Sequence, residues 1–237
     1  GMKAVILKNH NDSTVLRAFY VQKIVRDINV FGGIVLNDYC GGINPVAVKN
    51  ALELGAKIIW FPTTSAKNHR RYFKQHGGIT IIKKGVLNKE TIEVLRLIKQ
   101  YDAILATGHL SFAEIKCLIK EAKSLKIKNI IVSHPESKII NLSLSEQKDI
   151  ALGGVFFERC YFPVTDPKQL LPINKIIEGI KLLGCDSTIL ATDLGQSFNL
   201  SPIDGFKEYL SKLIEGGVSQ EEIKVMINKN PKRCLAL

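Results

Sequence analysis

The feature that most constrains this chain is the repeated alternation of short, wholly apolar runs with longer amphipathic segments. Runs at 3–9, 33–37, 56–62, 79–83, 103–108, 129–133, 154–159 and 187–192 are rich in Val, Ile and Phe. Most lack the every-other-residue polarity of a half-exposed strand, which is the pattern of strands buried on both faces. Between them, 12–27, 44–54, 65–75, 89–101, 111–125, 143–151, 168–183 and 203–214 read as helices, with a last one at 219–228. In 89–101, Ile92, Val94, Leu95, Leu97 and Ile98 form one stripe, with Lys89, Glu90, Glu93 and Arg96 largely outside it. Start signals agree: Asn44-Pro45 opens one helix, and Ser219 with Glu222 makes a capping box for the last. Strand–helix units of about 20–30 residues imply a parallel sheet with right-handed crossovers. Eight such units predict an α/β chain closed into a (β/α)8, TIM-barrel-like domain over 1–237. An open doubly wound sheet is the alternative, but no glycine-rich phosphate loop supports it.

Composition narrows the functional classes. No run approaches the ~18 apolar residues of a membrane span, and the N-terminus lacks a secretory pattern. The five cysteines are scattered and odd in number, which reads as reduced thiols in a cytoplasmic protein. The net charge of +11 raises nucleic-acid binding. Yet Lys116, Lys120, Lys123, Lys126 and Lys128 are spread along a helix-like segment, without interleaved aromatics. That is a solvated basic surface, compatible with a small anionic substrate and not with a nucleic-acid or membrane partner.

Chemistry gathers where the apolar runs end. Thr-Gly-His closes 103–109, Ser-His closes 130–134, and Ala-Thr-Asp closes 188–193. In a (β/α) barrel all strand C-termini face one mouth, so His109, His134 and Asp193 make a candidate metal site, imidazole and carboxylate being ordinary ligands for zinc and related divalent metals. Each histidine taken alone reads equally as a loop or satisfied core residue. Asp193 ends a run too apolar to host an unpaired charge cheaply. Lys8-Asn9-His10 ends the first run. His10 is a further candidate ligand, and Lys8 either becomes a carboxylated bridging ligand or binds an anion through its ammonium. Asn37, Asp38, Glu158 and Arg159 also sit at strand ends; Asn37 and Glu158 are taken as substrate contacts.

With these residues in place, the chain resembles the amidohydrolase superfamily, and within it an uncharacterised amidohydrolase-related family. The resemblance rests on Lys8–His10, Ala106–Ser111, Ser133–Glu136, Ala191–Gln196 and the ending from Asn230 to Leu235. It implies His109 and His134 as the fifth- and sixth-strand metal ligands. It implies Asp193 as the eighth-strand carboxylate that binds metal and takes a proton from the attacking water. The activity implied is metal-dependent hydrolysis of a C–N or C–O bond in a small polar substrate, with a divalent metal, zinc foremost. One departure stands out: the superfamily's first-strand His-x-His is nowhere in the chain.

Two registers follow. In one, 3–9 is the second strand, the first is lacking, 56–62 and 103–108 are direct neighbours, and 79–83 is an excursion outside the wall. In the other, 79–83 is a wall strand pairing with both, and Lys8 and His10 stand where His-x-His should be. The first is the expected one. It leaves an edge beside 3–9 that favours a homodimer or larger homo-oligomer. The absent motif also motivates a different class of function, a non-catalytic barrel that serves as a binding or scaffold protein.

Overall fold

The computed structural model describes residues 2–237, in two compact units, one ending at Ile130 and one running from Ile131 to Leu237. The first unit contains β1 (Ala4–Ile6), β2 (Asn29–Phe31), β3 (Gly33–Val35), β4 (Ile58–Trp60), β5 (Ile82–Lys83), β6 (Val86–Leu87) and β7 (Ile104–Ala106). β1 pairs in parallel with β2, while β3, β4 and β7 lie side by side, all parallel. In the second unit β8 (Ile130–Ser133) lies beside β9 (Val155–Cys160), which pairs in parallel with β10 (Thr188–Ala191). Strands and helices alternate along both units, as α/β architecture with parallel strands requires.

The run at 33–37 proves to be the second half of a longer strand that begins at Asn29 and is interrupted at Gly32. The interruption has a cause in Thr14, which opens the helix Val15–Ile24. Its hydroxyl donates to the Leu7 carbonyl at 2.7 Å, and the Gly33 amide donates to that hydroxyl at 3.0 Å. A Cβ on Gly32 would meet the Thr14 carbonyl oxygen at 2.7 Å, so only glycine lets the helix start approach this closely.

The run at 79–83 is not a wall strand. β4 pairs directly with β7, Ile58 opposite Ile104 and Trp60 opposite Ala106. Within the run Ile79 makes an isolated parallel bridge to Ala66, and Ile82 and Lys83 form a two-residue antiparallel hairpin with β6. The apolar character that suggests a strand comes from Ile81, which is fully buried. Its amide donates to a carboxylate oxygen of Glu114 at 3.1 Å, and the Thr80 hydroxyl donates to the same oxygen at 2.7 Å. A side-chain acceptor thus replaces the neighbouring strand that an extended backbone needs. The expectation of eight strand–helix units is corrected accordingly, and 56–62 and 103–108 are neighbours as the first register requires.

Helix ends follow local chemistry. Asn44 accepts from the amides of Val46 and Ala47, and Ser111 with Glu114 and Ser219 with Glu222 form capping boxes. The expected helix 65–75 shortens to Lys67–Tyr72, with Lys74 in the left-handed region beyond it. The expected 168–183 begins only at Ile173, after Pro172. The expected 219–228 divides into Gln220–Lys224, a π-helical turn Val225–Lys229 and a last helix Asn230–Leu235. Asn230 is fully buried, and its amide donates to the carbonyls of Cys185 and Thr188 at 2.7 and 2.6 Å, tying the chain's end to the start of β10. A cluster of Tyr161, Ile176, Ile180, Leu190, Tyr209 and Met226 forms the core there. No helix among the described residues is long and apolar enough to cross a membrane.

Candidate functional site

In the first unit four strand ends contribute polar groups: 7–10 after β1, 36–37 after β3, 61–65 after β4 and 107–109 after β7. Asn37, fully buried, is the centre of a knot. Its Oδ1 accepts from the amides of Thr63 and Ser65 at 2.8 and 3.2 Å. Its Nδ2 donates to the Thr63 hydroxyl at 2.8 Å and the His10 carbonyl at 3.1 Å. The Thr63 hydroxyl in turn lies 2.8 Å from His10 Nδ1. The ammonium of Lys8 sits 5.8 Å over the Trp60 ring, a cation–π contact at the end of β4.

Gly108 is needed for the next turn. Its φ is +59°, and a Cβ there would meet the Phe61 carbonyl oxygen at 2.2 Å. The turn delivers His109, whose amide donates to the Pro62 carbonyl at 2.8 Å and whose carbonyl accepts from Asn68 Nδ2 at 3.3 Å. The His109 ring meets that of His69, Nδ1 to Nδ1, at 2.6 Å. Burial holds His69 well below its ordinary value, to about 4, with help from His10 and Arg70 nearby. Around it Lys67, Arg70 and Arg71 share a six-residue helix with no acidic residue, and Arg70 pairs with Asp38 at 2.5 Å.

His69 was missed by sequence reasoning because it falls inside a segment that reads as an amphipathic helix. Its place gives no run-end signal: His69 lies seven residues past the 56–62 run, whereas His10 and His109 each directly follow theirs.

In the second unit His134 follows β8, is buried, and takes φ +27°. Its carbonyl accepts from the Ser137 amide at 3.0 Å, and the Pro135 carbonyl accepts from the Leu142 amide at 2.9 Å. Two residues on, Glu136 forms an ion pair with Arg159, both almost wholly buried. Arg159 Nη1 also donates to Gln147 Oε1 at 3.2 Å, and Gln147 Nε2 donates to the Leu142 carbonyl at 3.2 Å. Burial lowers the Arg159 guanidinium to about 10, which leaves it charged at neutral pH. Glu158, half-buried on β9, lies opposite Ile189. Asp193 follows β10 with φ +54°, half-buried.

Imidazole and carboxylate are the right donor chemistry for zinc, and His69 is held neutral, the state in which imidazole binds a metal. Among the described residues, however, no three His, Cys, Asp or Glu side chains lie close enough together to hold an ion. The donor types fit a divalent cation; their positions stop short of a coordination set.

No curated protein matches the sequence significantly. Solved structures do match in fold. An amidohydrolase from Burkholderia multivorans, 10% identical, superposes with a TM-score of 0.64 over 100% of this chain and 84% of its own. An amidohydrolase from Pseudomonas aeruginosa, 15% identical, gives 0.65 over 98% and 78%. A metallopeptidase from Rhodobacter sphaeroides, liganded with a phosphinate mimic of the dipeptide L-Ala-D-Ala and 11% identical, gives 0.63 over 98% and 68%. At these identities the likeness is one of fold, the amidohydrolase barrel. In sequence, one family model matches residues 1–158, more than half of the chain, and the protein therefore belongs to the family of unknown function DUF6282.

Proposed function

We propose that this chain is a metal-dependent hydrolase of the amidohydrolase type, cleaving a C–N or C–O bond in a small polar substrate. The observation that carries the reading is how the backbone leaves its strands at the candidate residues. Gly108, just before His109, has φ +59°, and His134 and Asp193 themselves have φ +27° and +54°. Non-glycine residues in the left-handed region cost of order 1–3 kcal/mol and concentrate where geometry serves function.

In this reading His109, His134 and Asp193 are metal ligands, with His10 a further imidazole and zinc the metal the donor types suit. When bound, the metal would supply the Lewis acidity that lets water attack near neutral pH. Asp193 accepts the attacking water's proton. Lys8 attracts an anionic group of the substrate, while Asn37 and Glu158 orient its polar groups. Metal analysis of protein purified without chelators tests this: bound zinc or manganese, or uptake of either, is expected. Metal-free protein that also refuses both metals contradicts it.

One observation favours a second reading, a non-catalytic barrel that binds a partner or scaffolds: no three donors converge among the described residues. On that reading His109→Ala leaves metal uptake as it was. We further propose that copies associate. The helix Val15–Ile24 exposes Leu16, Phe19, Tyr20 and Ile24, the last 81% accessible, and such apolar faces favour association. Light scattering is expected to show a dimer or larger, and a monomer at micromolar concentration contradicts it.

A further inference from the structure

We propose that Glu114 is a positioning residue for the pair His69 and His109: its two carboxylate oxygens clamp the turn that carries His109 to the excursion that carries His69. The inference deepens the proposed hydrolase site and rests on that reading only for its consequence in metal binding.

Glu114 lies in the first turn of the helix Phe112–Ser124 and is buried, only 4% accessible. Its Oε2 accepts from the amide and the hydroxyl of Ser111 at 3.0 and 2.6 Å, and Ser111 stands two residues after His109. Its Oε1 accepts from the Thr80 hydroxyl at 2.7 Å and the Ile81 amide at 3.1 Å. One backbone amide points at each oxygen, and an amide N–H can only donate, so both oxygens must accept. A carboxylate meets that demand. A glutamine, with one oxygen, would leave one of the two amides facing its NH2. A capping box needs only the bond to Ser111; the second oxygen is given to a segment over thirty residues away.

That segment leads back to His69. The Ile79 amide donates to the Ser65 carbonyl, and the Lys67 amide donates to the Ile79 carbonyl, each at 2.7 Å. A Cβ on Gly78 would meet Lys67 Cα at 2.7 Å, so the excursion returns directly onto the start of the helix Lys67–Tyr72. His69 is on that helix, with its Nδ1 2.6 Å from Nδ1 of His109. The links run in series: His109 to Ser111 along the chain, Ser111 through the carboxylate to Thr80 and Ile81, and Ile79 to the start of the His69 helix. Asn68 Nδ2 also reaches the His109 carbonyl, at 3.3 Å, a longer contact between neutral groups. Hydrogen bonds to an ionised acceptor are roughly twice as strong as neutral ones, and here one ionised acceptor is shared by both segments.

The chain has five histidines, few enough for selective histidine labelling to read a ring-to-ring nuclear Overhauser effect between His69 and His109 in metal-free protein. Glu114→Ala should weaken that effect and speed hydrogen exchange at the Lys67 and Ile79 amides, whose own acceptors the substitution does not touch. Ser111→Ala removes a cap hydroxyl but leaves the Oε1 contacts, and should change neither readout. Thr80→Val removes a donor to Oε1 but leaves the cap, and should move both readouts as Glu114→Ala does, by less. A glutamate that only capped its helix would give the reverse order, with Ser111→Ala resembling Glu114→Ala and Thr80→Val silent. In zinc titrations Glu114→Ala should bind about 10-fold more weakly than the parent, and Ser111→Ala as the parent does. The inference is overturned if Glu114→Ala, shown folded by circular dichroism, keeps the ring contact or binds zinc as tightly as a zinc-binding parent. Should that variant not fold, a Thr80→Val protein with unchanged ring contact and exchange overturns it. A parent that takes up no zinc, while its ring contact depends on Glu114, supports the clamp and overturns the metal reading instead.

Discussion

The strand-end chemistry is held in place by opposite means in the two units. In the first, neutral amide and hydroxyl groups, those of Asn37 and Thr63, hydrogen-bond to His10, and the His69 ring meets that of His109. In the second, the loop that begins at His134 is anchored by a buried ion pair, Glu136 with Arg159, reinforced through Gln147. A neutral network loses one modest hydrogen bond at a time when a member changes. A buried ion pair fails all at once, because the surviving charge is left without compensation. The first arrangement suits donors that must adjust around a ligand, and the second suits a loop held against its backbone preference.

The sharpest way to break this contrast is to remove one partner of the ion pair. Arg159→Met should destabilise the protein by about 3–5 kcal/mol in denaturant unfolding, and adding Glu136→Leu should restore most of the loss. If the single variant is neutral, the pair anchors nothing. The first unit has rigid positions of its own, among them the glycine turn at Gly108. Gly108→Ala should cost about 1–3 kcal/mol through backbone strain, and more from the approach to Phe61. Within the neutral network Asn37→Ala leaves the buried amides of Thr63 and Ser65 unpaired and should cost about 1–3 kcal/mol; a larger loss than Arg159→Met would reverse the comparison.

The smallest expected effect belongs to neither network and serves as a baseline. Ser219→Ala should cost about 1 kcal/mol through loss of the capping box. The Ser219 hydroxyl and amide hold the Glu222 carboxyl below its ordinary value. A carboxyl depressed in the folded state adds stability above its unfolded pKa, and that stability is lost as pH falls through the folded value. The acid limb of the stability profile should therefore flatten slightly in Ser219→Ala, as thermal unfolding between neutral and strongly acid pH would record.

Much of this was legible in the sequence, and what was not has identifiable causes. The alternation of apolar runs and amphipathic segments located the parallel strands, because strands buried on both faces must be apolar throughout. It also marks 79–83 as strand-like, and the expected register sets that run outside the wall: Ile79 bridges Ala66, Ile82 and Lys83 pair with β6, and the Ile81 amide donates to the Glu114 carboxylate over thirty residues away. His10, His109, His134 and Asp193 could be picked out by their place at run ends. His69 could not, since its partner is forty residues distant and its own segment reads as surface helix. The roles of Glu136 and Arg159 depend on burial, which their charge conceals in a sequence.

The central claim, a metal-dependent site at the strand ends, is tested most directly by calorimetric titration of zinc into chelator-stripped protein, with His109→Ala alongside. The account predicts saturable binding by the parent and its loss in a folded His109→Ala. No binding by the parent, or equal binding by both, would contradict it.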